Sequence, residues 1–185
     1  LPNGWTDCYF DHINHMLGQD PNNPYINVWL KGMQNPRFRN YFINRFADLM
    51  NTSYKIERIS AIEQSMFNQT VLEMPREYSR WGDPNNVAQQ MTDFVNRHHE
   101  FQFQLSERTG QVRNHIQADL GLNGQVEVTI DAFPAGAGTI KISTVTPDAL
   151  PWTGVYFDGN PVVITATPNP GYAFVYWDAN SIFTS

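Results

Sequence analysis

Leu120-Gly121-Leu122-Asn123-Gly124-Gln125-Val126-Glu127-Val128-Thr129-Ile130 is the stretch at which the chain changes its period. Up to Leu120, apolar residues recur every three or four positions, as on one face of a helix. From Gln125 they alternate, with Val126, Val128 and Ile130 on one side and Glu127 and Thr129 on the other. That is the pattern of a half-buried strand. Gly121 suits a helix C-cap. The expected fold is α+β, with residues 1–122 helical and residues 123–185 a small, mostly antiparallel β-module. The link from Leu120 to Gly124 is short and apolar, whereas a flexible tether is longer and richer in Gly, Ser or Pro. The two parts are therefore expected to share an interface.

Working back from the switch, the spacing predicts helices at about 35–51, 55–73, 84–108 and 110–120. Asn35-Pro36 starts the first, with Asn as cap and Pro at the first helical position. Phe38, Tyr41, Phe42, Arg45, Phe46 and Leu49 mark its face. Ile59, Ile62 and Met66 mark the second, which Pro75 breaks or restarts. Asp83-Pro84 repeats the start signal. Val87, Met91, Phe94, Val95, Phe101 and Leu105 form the third stripe, and Thr109-Gly110 reads as a stop. Val112, Ile116 and Leu120 mark the last helix. Residues 1–34 read as loop with short helical pieces, one of them Ile26 to Met33.

Forward of the switch, further strands are expected at Ile140–Ile142, Val155–Phe157, Val162–Ala166 and Tyr172–Trp177. Turns fall at Pro134–Gly138, Asp148–Pro151, Asp158-Gly159 and Pro168–Gly171. Their spacing is that of hairpins.

Composition narrows the function classes. Hydrophobic residues make up 41% of the 185 and charged ones 16%, enough apolar material for a core. The net charge is −6 with no Lys/Arg run, which disfavours nucleic acid and anionic membrane surfaces. No apolar run reaches the roughly 18 residues of a membrane span. Cys8 is the one cysteine, so no intrachain disulfide and no Cys-rich zinc site can form.

Few residues carry a chemical signal. His12 and His15 stand three apart, as in a metal-binding pair, but without an obvious third ligand; solvated loop histidines are the default. His98 and His99, adjacent on a helix, point different ways, one to the core edge and one to water. Trp81 is either a ligand platform or an anchor at a helix–helix corner. Arg37, Arg39 and Arg45 either bind an anion or pair with acids such as Asp48. There is no phosphate loop, nucleophile elbow or His-Glu-x-x-His. Gly136-Ala137-Gly138 lies between strands and reads as a turn.

Two resemblances add to this. Asn35-Pro36-Arg37-Phe38 through Phe42-Ile43-Asn44-Arg45-Phe46-Ala47-Asp48-Leu49-Met50-Asn51-Thr52 resembles a helix of the CotH family of spore-coat-protein-H-like atypical protein kinases. Glu73 to Arg80-Trp81 is similar to the stretch that follows it there, and Asn96-Arg97 to Ile116 to the closing helix pair. The resemblance covers about residues 24–120. It implies a parent that uses ATP and Mg²⁺ at a site mostly upstream, with no cofactor in this fragment. Trp5-Thr6-Asp7 stands where that family has a Trp-Asp-x-Asp segment. Asp7 matches the second acid, a weak remnant of a metal-binding acid, and Thr6 does not supply the first. Without the resemblance, Asp7 is a loop residue.

The second resemblance runs from Gly138 to Trp177 and includes Ala166-Thr167-Pro168-Asn169-Pro170-Gly171-Tyr172-Ala173-Phe174. It is similar to the divergent internalin B-repeat module of bacterial surface proteins. Gly171 would make a turn, Tyr172 and Phe174 would share a strand face, and Trp177 on the other face would cap the sheet. The combination looks like exported CotH-like proteins of gut and marine bacteria of the Bacteroidetes type.

The expected function is the non-catalytic C-terminal part of an exported CotH-like kinase, with a structural or partner-contacting role. The alternative is a secreted or cell-surface binding or adhesion module without phosphotransfer. Its partner would be a protein or a surface glycan, beside the upstream part of the same polypeptide. Trp81, Tyr172, Phe174 and Trp177 are its structural or binding aromatics.

Overall fold

The computed structural model describes residues 7–179. Their fold is α+β: six helices, then four short strands. The helices are α1 (His12–Leu17), α2 (Pro24–Gln34), α3 (Pro36–Asn51), α4 (Ile56–Thr70), α5 (Met74–Trp81) and α6 (Val87–Asp119). The strands are β1 (Gly124–Ile130), β2 (Gly138–Ile142), β3 (Trp152–Asp158) and β4 (Ile164–Pro168).

A side-chain cap sets three of the six helix starts. The Asn35 side chain accepts hydrogen bonds from the backbone N–H of Arg37 (3.0 Å) and Phe38 (3.3 Å), and Pro36 follows it as expected. Asn23 and Pro24 do the same for α2, so that helix starts two residues before Ile26. Asp11 caps α1 through Asn14 N–H. Asp83-Pro84 does not start α6. Asp83 Oδ1 instead accepts from Asn85 N–H at 2.9 Å, closing a turn, and the helix begins after Asn86.

Two expected helices are one. α6 runs for 33 residues through Thr109-Gly110 without a break. Glycine inside a helix costs about 1 kcal/mol. Here the stripe of Val112, Ile116 and Leu120 packs on the core and offsets that cost. A Cβ at Gly110 would meet nothing within 4 Å. Gly110→Ala should therefore stabilise the protein by about 0.5–1 kcal/mol, read as a higher midpoint in urea unfolding.

Several faces differ from expectation. In α3 the buried residues are Ile43, Asn44, Ala47, Asp48 and Met50, while Phe38 and Tyr41 are exposed. α3 packs on two sides. Phe42 meets Trp29 of α2 edge-on at 6.0 Å, and the Ile43–Ala47–Met50 side meets the strands. In α4, which ends at Thr70 rather than Glu73, Ile62 and Met66 face outward. Its inner face carries Glu63 and Phe67, which meet His98 of α6. On α6, Phe101 is exposed, and His98 and Gln102 take the inner positions by bonding Glu63.

The strands pair out of sequence. β1 pairs with β3 and β2 with β4, both antiparallel, where hairpins were expected. The links 131–137 and 143–151 are long enough for each strand to skip its neighbour. The register sets Val126 opposite Tyr156 and Ile140 opposite Ala166. β4 starts at Ile164, two residues later than expected. The run Tyr172–Trp177 forms no strand.

One buried cluster spans both parts. Ile43, Ala47, Met50, Ile116 and Leu120 of the helical part pack with Ile130, Ile140, Ile142, Tyr156 and Phe157. Helices and strands therefore bury one common core.

Polar groups cross the same boundary. Asp48 is fully buried. Its Oδ2 accepts from Ser143 Oγ (2.7 Å), Thr144 Oγ1 (2.6 Å) and Thr144 N–H (3.0 Å), and its Oδ1 from Tyr156 Oη (2.8 Å). The expected ion pair of Asp48 with an arginine does not form. Arg45 instead donates to Thr144 Oγ1 at 2.9 Å, and Arg39 to the Leu120 carbonyl at the end of α6. Asn51 pairs with the Val155 backbone at both ends, each at 3.0 Å. Arg113 donates to the Val155 carbonyl (3.0 Å) and to Asn51 Oδ1 (2.8 Å). This approach depends on Gly154, because a Cβ there would lie 2.8 Å from Asn51 Nδ2.

Candidate functional site

The β-module carries an open groove of about 560 Å³. Ile140 of β2 and Ala166 of β4 line it from the sheet, and the Asp131–Pro134 loop and residues 172–178 border it. That size falls in the range of ligand sites, roughly 300–1,000 Å³. Its aromatics are exposed: Phe133 at 99%, with Tyr172, Phe174, Tyr176 and Trp177 each about half exposed or more. The Phe174 and Trp177 rings lie 5.2 Å apart and tilted. Trp177 therefore does not sit on the face opposite Phe174, and it caps no buried core among the described residues. A regular strand would hold residues three apart on opposite faces; the run after the Gly171 turn (φ +89°) is irregular and lets them meet.

Residues 128–184 match the family model of the divergent InlB B-repeat domain. The match spans the groove and leaves the helices outside it. No curated protein and no solved structure gives a significant match. These comparisons carry no support for the CotH resemblance of the helical part.

Of the residues singled out from the sequence, the InlB B-repeat-like module brings Tyr172, Phe174 and Trp177 to one groove. Trp81 lies elsewhere, at the end of α5. It is 71% exposed rather than packed in a helix corner, and the Arg80 guanidinium sits 4.9 Å from its ring centre. Asp7 closes a turn by accepting from Tyr9 N–H at 2.9 Å; Trp5 and Thr6 lie outside the described residues. No group of three or more His, Cys, Asp or Glu able to hold a metal occurs among the described residues. Among them, too, no helix is long and apolar enough to cross a membrane.

The histidines are tied into structure. His98 is buried, donates from Nδ1 to Glu63 Oε1 at 2.7 Å, and stacks on Phe67; His99 is exposed. His15 meets Gln19, and both His12 and His15 touch the Phe10 ring. Burial and the nearby Arg108 push the His12 pKa down. Tyr156 is pushed far up by burial and by its bond to Asp48, so it stays a donor.

Between α1 and α6, Asp119 of α6 faces Asp11, with His115 Nδ1 3.8 Å from Asp11 Oδ1. Burial, then Asp11, raises the Asp119 pKa. A carboxyl raised on folding stabilises the fold when protonated, and that contribution is lost as pH rises through its folded pKa. Asp119→Asn should therefore raise the melting temperature at pH 7, and the gain should vanish as pH falls below about 4, the ordinary carboxyl range. Thermal melts of both proteins across pH 3–8 test this; an equal gain at all pH values would contradict it.

Phe133, Tyr176, Asp131 and Asp178 were not singled out from the sequence. A phenylalanine within Asp131-Ala132-Phe133-Pro134-Ala135-Gly136 was the available signal, because a large apolar residue inside a turn has no core to enter.

Proposed function

We propose that the chain is a binding or adhesion module of a secreted or cell-surface protein, with the aromatic groove as its contact site. The groove itself carries this reading: five aromatic side chains stand exposed around one concavity. Leaving such apolar area in water is unfavourable unless a partner covers it. The InlB B-repeat-like span agrees with a surface or secreted location. The helices act as the scaffold whose shared core holds the module rigid.

Trp177→Ala tests both the fold and the role. A half-exposed side chain outside the core should change the melting temperature by no more than about 2 °C. Binding of the full chain to immobilised matrix proteins and surface polysaccharides, followed by interferometry, should weaken sharply. Binding unchanged in the variant would reject the groove as the contact site. A large drop in melting temperature would show that Trp177 serves packing instead.

A second reading keeps residues 1–122 as the non-catalytic C-terminal region of a CotH-like kinase, whose complete parent would use ATP and Mg²⁺. Exposed aromatics on the helices favour it: Tyr25, Phe38, Trp81, Phe101 and Phe103 form surface that a larger lobe would cover. ATP–Mg²⁺ binding by a longer polypeptide containing this chain, measured by calorimetry, would support it. Failure of that polypeptide to bind nucleotide would reject it.

A further inference from the structure

We propose that the groove takes the basic side chains of an extended polypeptide segment on a partner protein, an assignment that rests on the reading of the β-module as a binding module. The groove residues include two carboxylates, Asp131 and Asp178, and no Lys, Arg or His. Beside them stand the rings of Phe133, Phe174, Tyr176 and Trp177. Aromatic faces carry the negative side of the ring quadrupole and attract ammonium and guanidinium groups. Ring faces and carboxylates thus select the same sign of charge. A neutral sugar would stack on the rings and donate hydroxyls to the carboxylates but gain no long-range attraction from their charge, and an acidic chain would be repelled. The overall charge of −6 adds long-range attraction for a basic partner.

The backbone argues for an extended segment. Among the described residues, no backbone–backbone hydrogen bond ties residues 173–178 to the rest of the chain. No described residue's backbone takes up the main-chain N–H and C=O groups of this wall, and an extended peptide running alongside would satisfy them. Ala166 and Pro168 supply an apolar surface for the side chains between the basic ones.

The test titrates the full chain with three probes: a fluorescein-labelled peptide of alternating lysine and valine, its glutamate-for-lysine counterpart, and cellohexaose. The lysine peptide should bind, more weakly as salt rises. Its affinity should fall about tenfold in Trp177→Ala, and about tenfold in the Asp131→Asn/Asp178→Asn pair, with the melting temperatures of both variants checked. Equal binding of the glutamate peptide, or no loss in the double Asn variant, overturns the basic-peptide assignment. Cellohexaose binding that Trp177→Ala abolishes also overturns it, while leaving the groove as a binding site. If none of the three probes binds, and matrix proteins and polysaccharides fail as well, both readings fall.

Discussion

Asp48→Ala should lower stability by roughly 3–4 kcal/mol, the largest effect expected of any single change here. Four hydrogen bonds end on this fully buried carboxylate, from Ser143, twice from Thr144, and from Tyr156. Alanine would leave all four donors without a partner. Each buried unsatisfied group costs about 1–3 kcal/mol. The total falls short of the sum because water can enter the vacated space and the hydroxyls can turn. For a protein of this size the change corresponds to a fall of about 10 °C in melting temperature. Tyr156→Phe removes one donor and leaves three, so its cost should be near 1 kcal/mol. Unfolding followed in the helices by far-ultraviolet circular dichroism, and in the β-module by Trp152 fluorescence in a protein whose other four tryptophans are replaced by phenylalanine, should stay coincident. An Asp48→Ala protein as stable as the wild type would show that the network contributes nothing net.

Asn51→Ala should cost about 2–3 kcal/mol. Its amide stands in for a strand partner, meeting both the N–H and the C=O of Val155, and it also accepts from buried Arg113. Truncation leaves the Val155 N–H and one guanidinium N–H unpaired at the edge of the core. Burial already pushes the Arg113 pKa down, so this charge tolerates little further loss of partners. A double-mutant cycle with Arg113→Met isolates the pairing. If the two side chains act as one clamp, the double variant should be less destabilised than the sum of the singles by about 1 kcal/mol or more. Simple additivity would mean that each holds Val155 independently.

Both residues show where sequence reading stopped. Asp48 and Asn51 lie among helical residues whose apolar neighbours set the phase. A polar residue in a helix reads as solvent-facing unless its partners are known, and these partners stand 62 to 108 positions away. Arg45, three positions from Asp48, was the nearer candidate for a pair. It goes to Thr144 instead, because the β-module brings hydroxyl donors directly over the carboxylate. Likewise Phe38 and Tyr41 carry helical spacing but lie outside the buried face, since spacing fixes a stripe's period and not which neighbour covers it. The groove was partly legible: Tyr172, Phe174 and Trp177 were picked out, and Phe133 and the two acids were not.

The sequence by itself determined the α+β order, the switch of period at Gly121, the Asn35-Pro36 helix start and the position of β1. Each of these is encoded within a few neighbouring residues, by side-chain periodicity or by a cap that bonds its own backbone. Tertiary structure decided the rest. It joined the last two expected helices across Gly110, because a continuous core face outweighs one glycine. It paired β1 with β3 and β2 with β4, because strand pairing follows burial and long loops permit it. It also turned Tyr172–Trp177 into the wall of a groove instead of a strand. Alternation fixes where side chains can point, but a strand exists only where another backbone meets it, and that is settled in three dimensions.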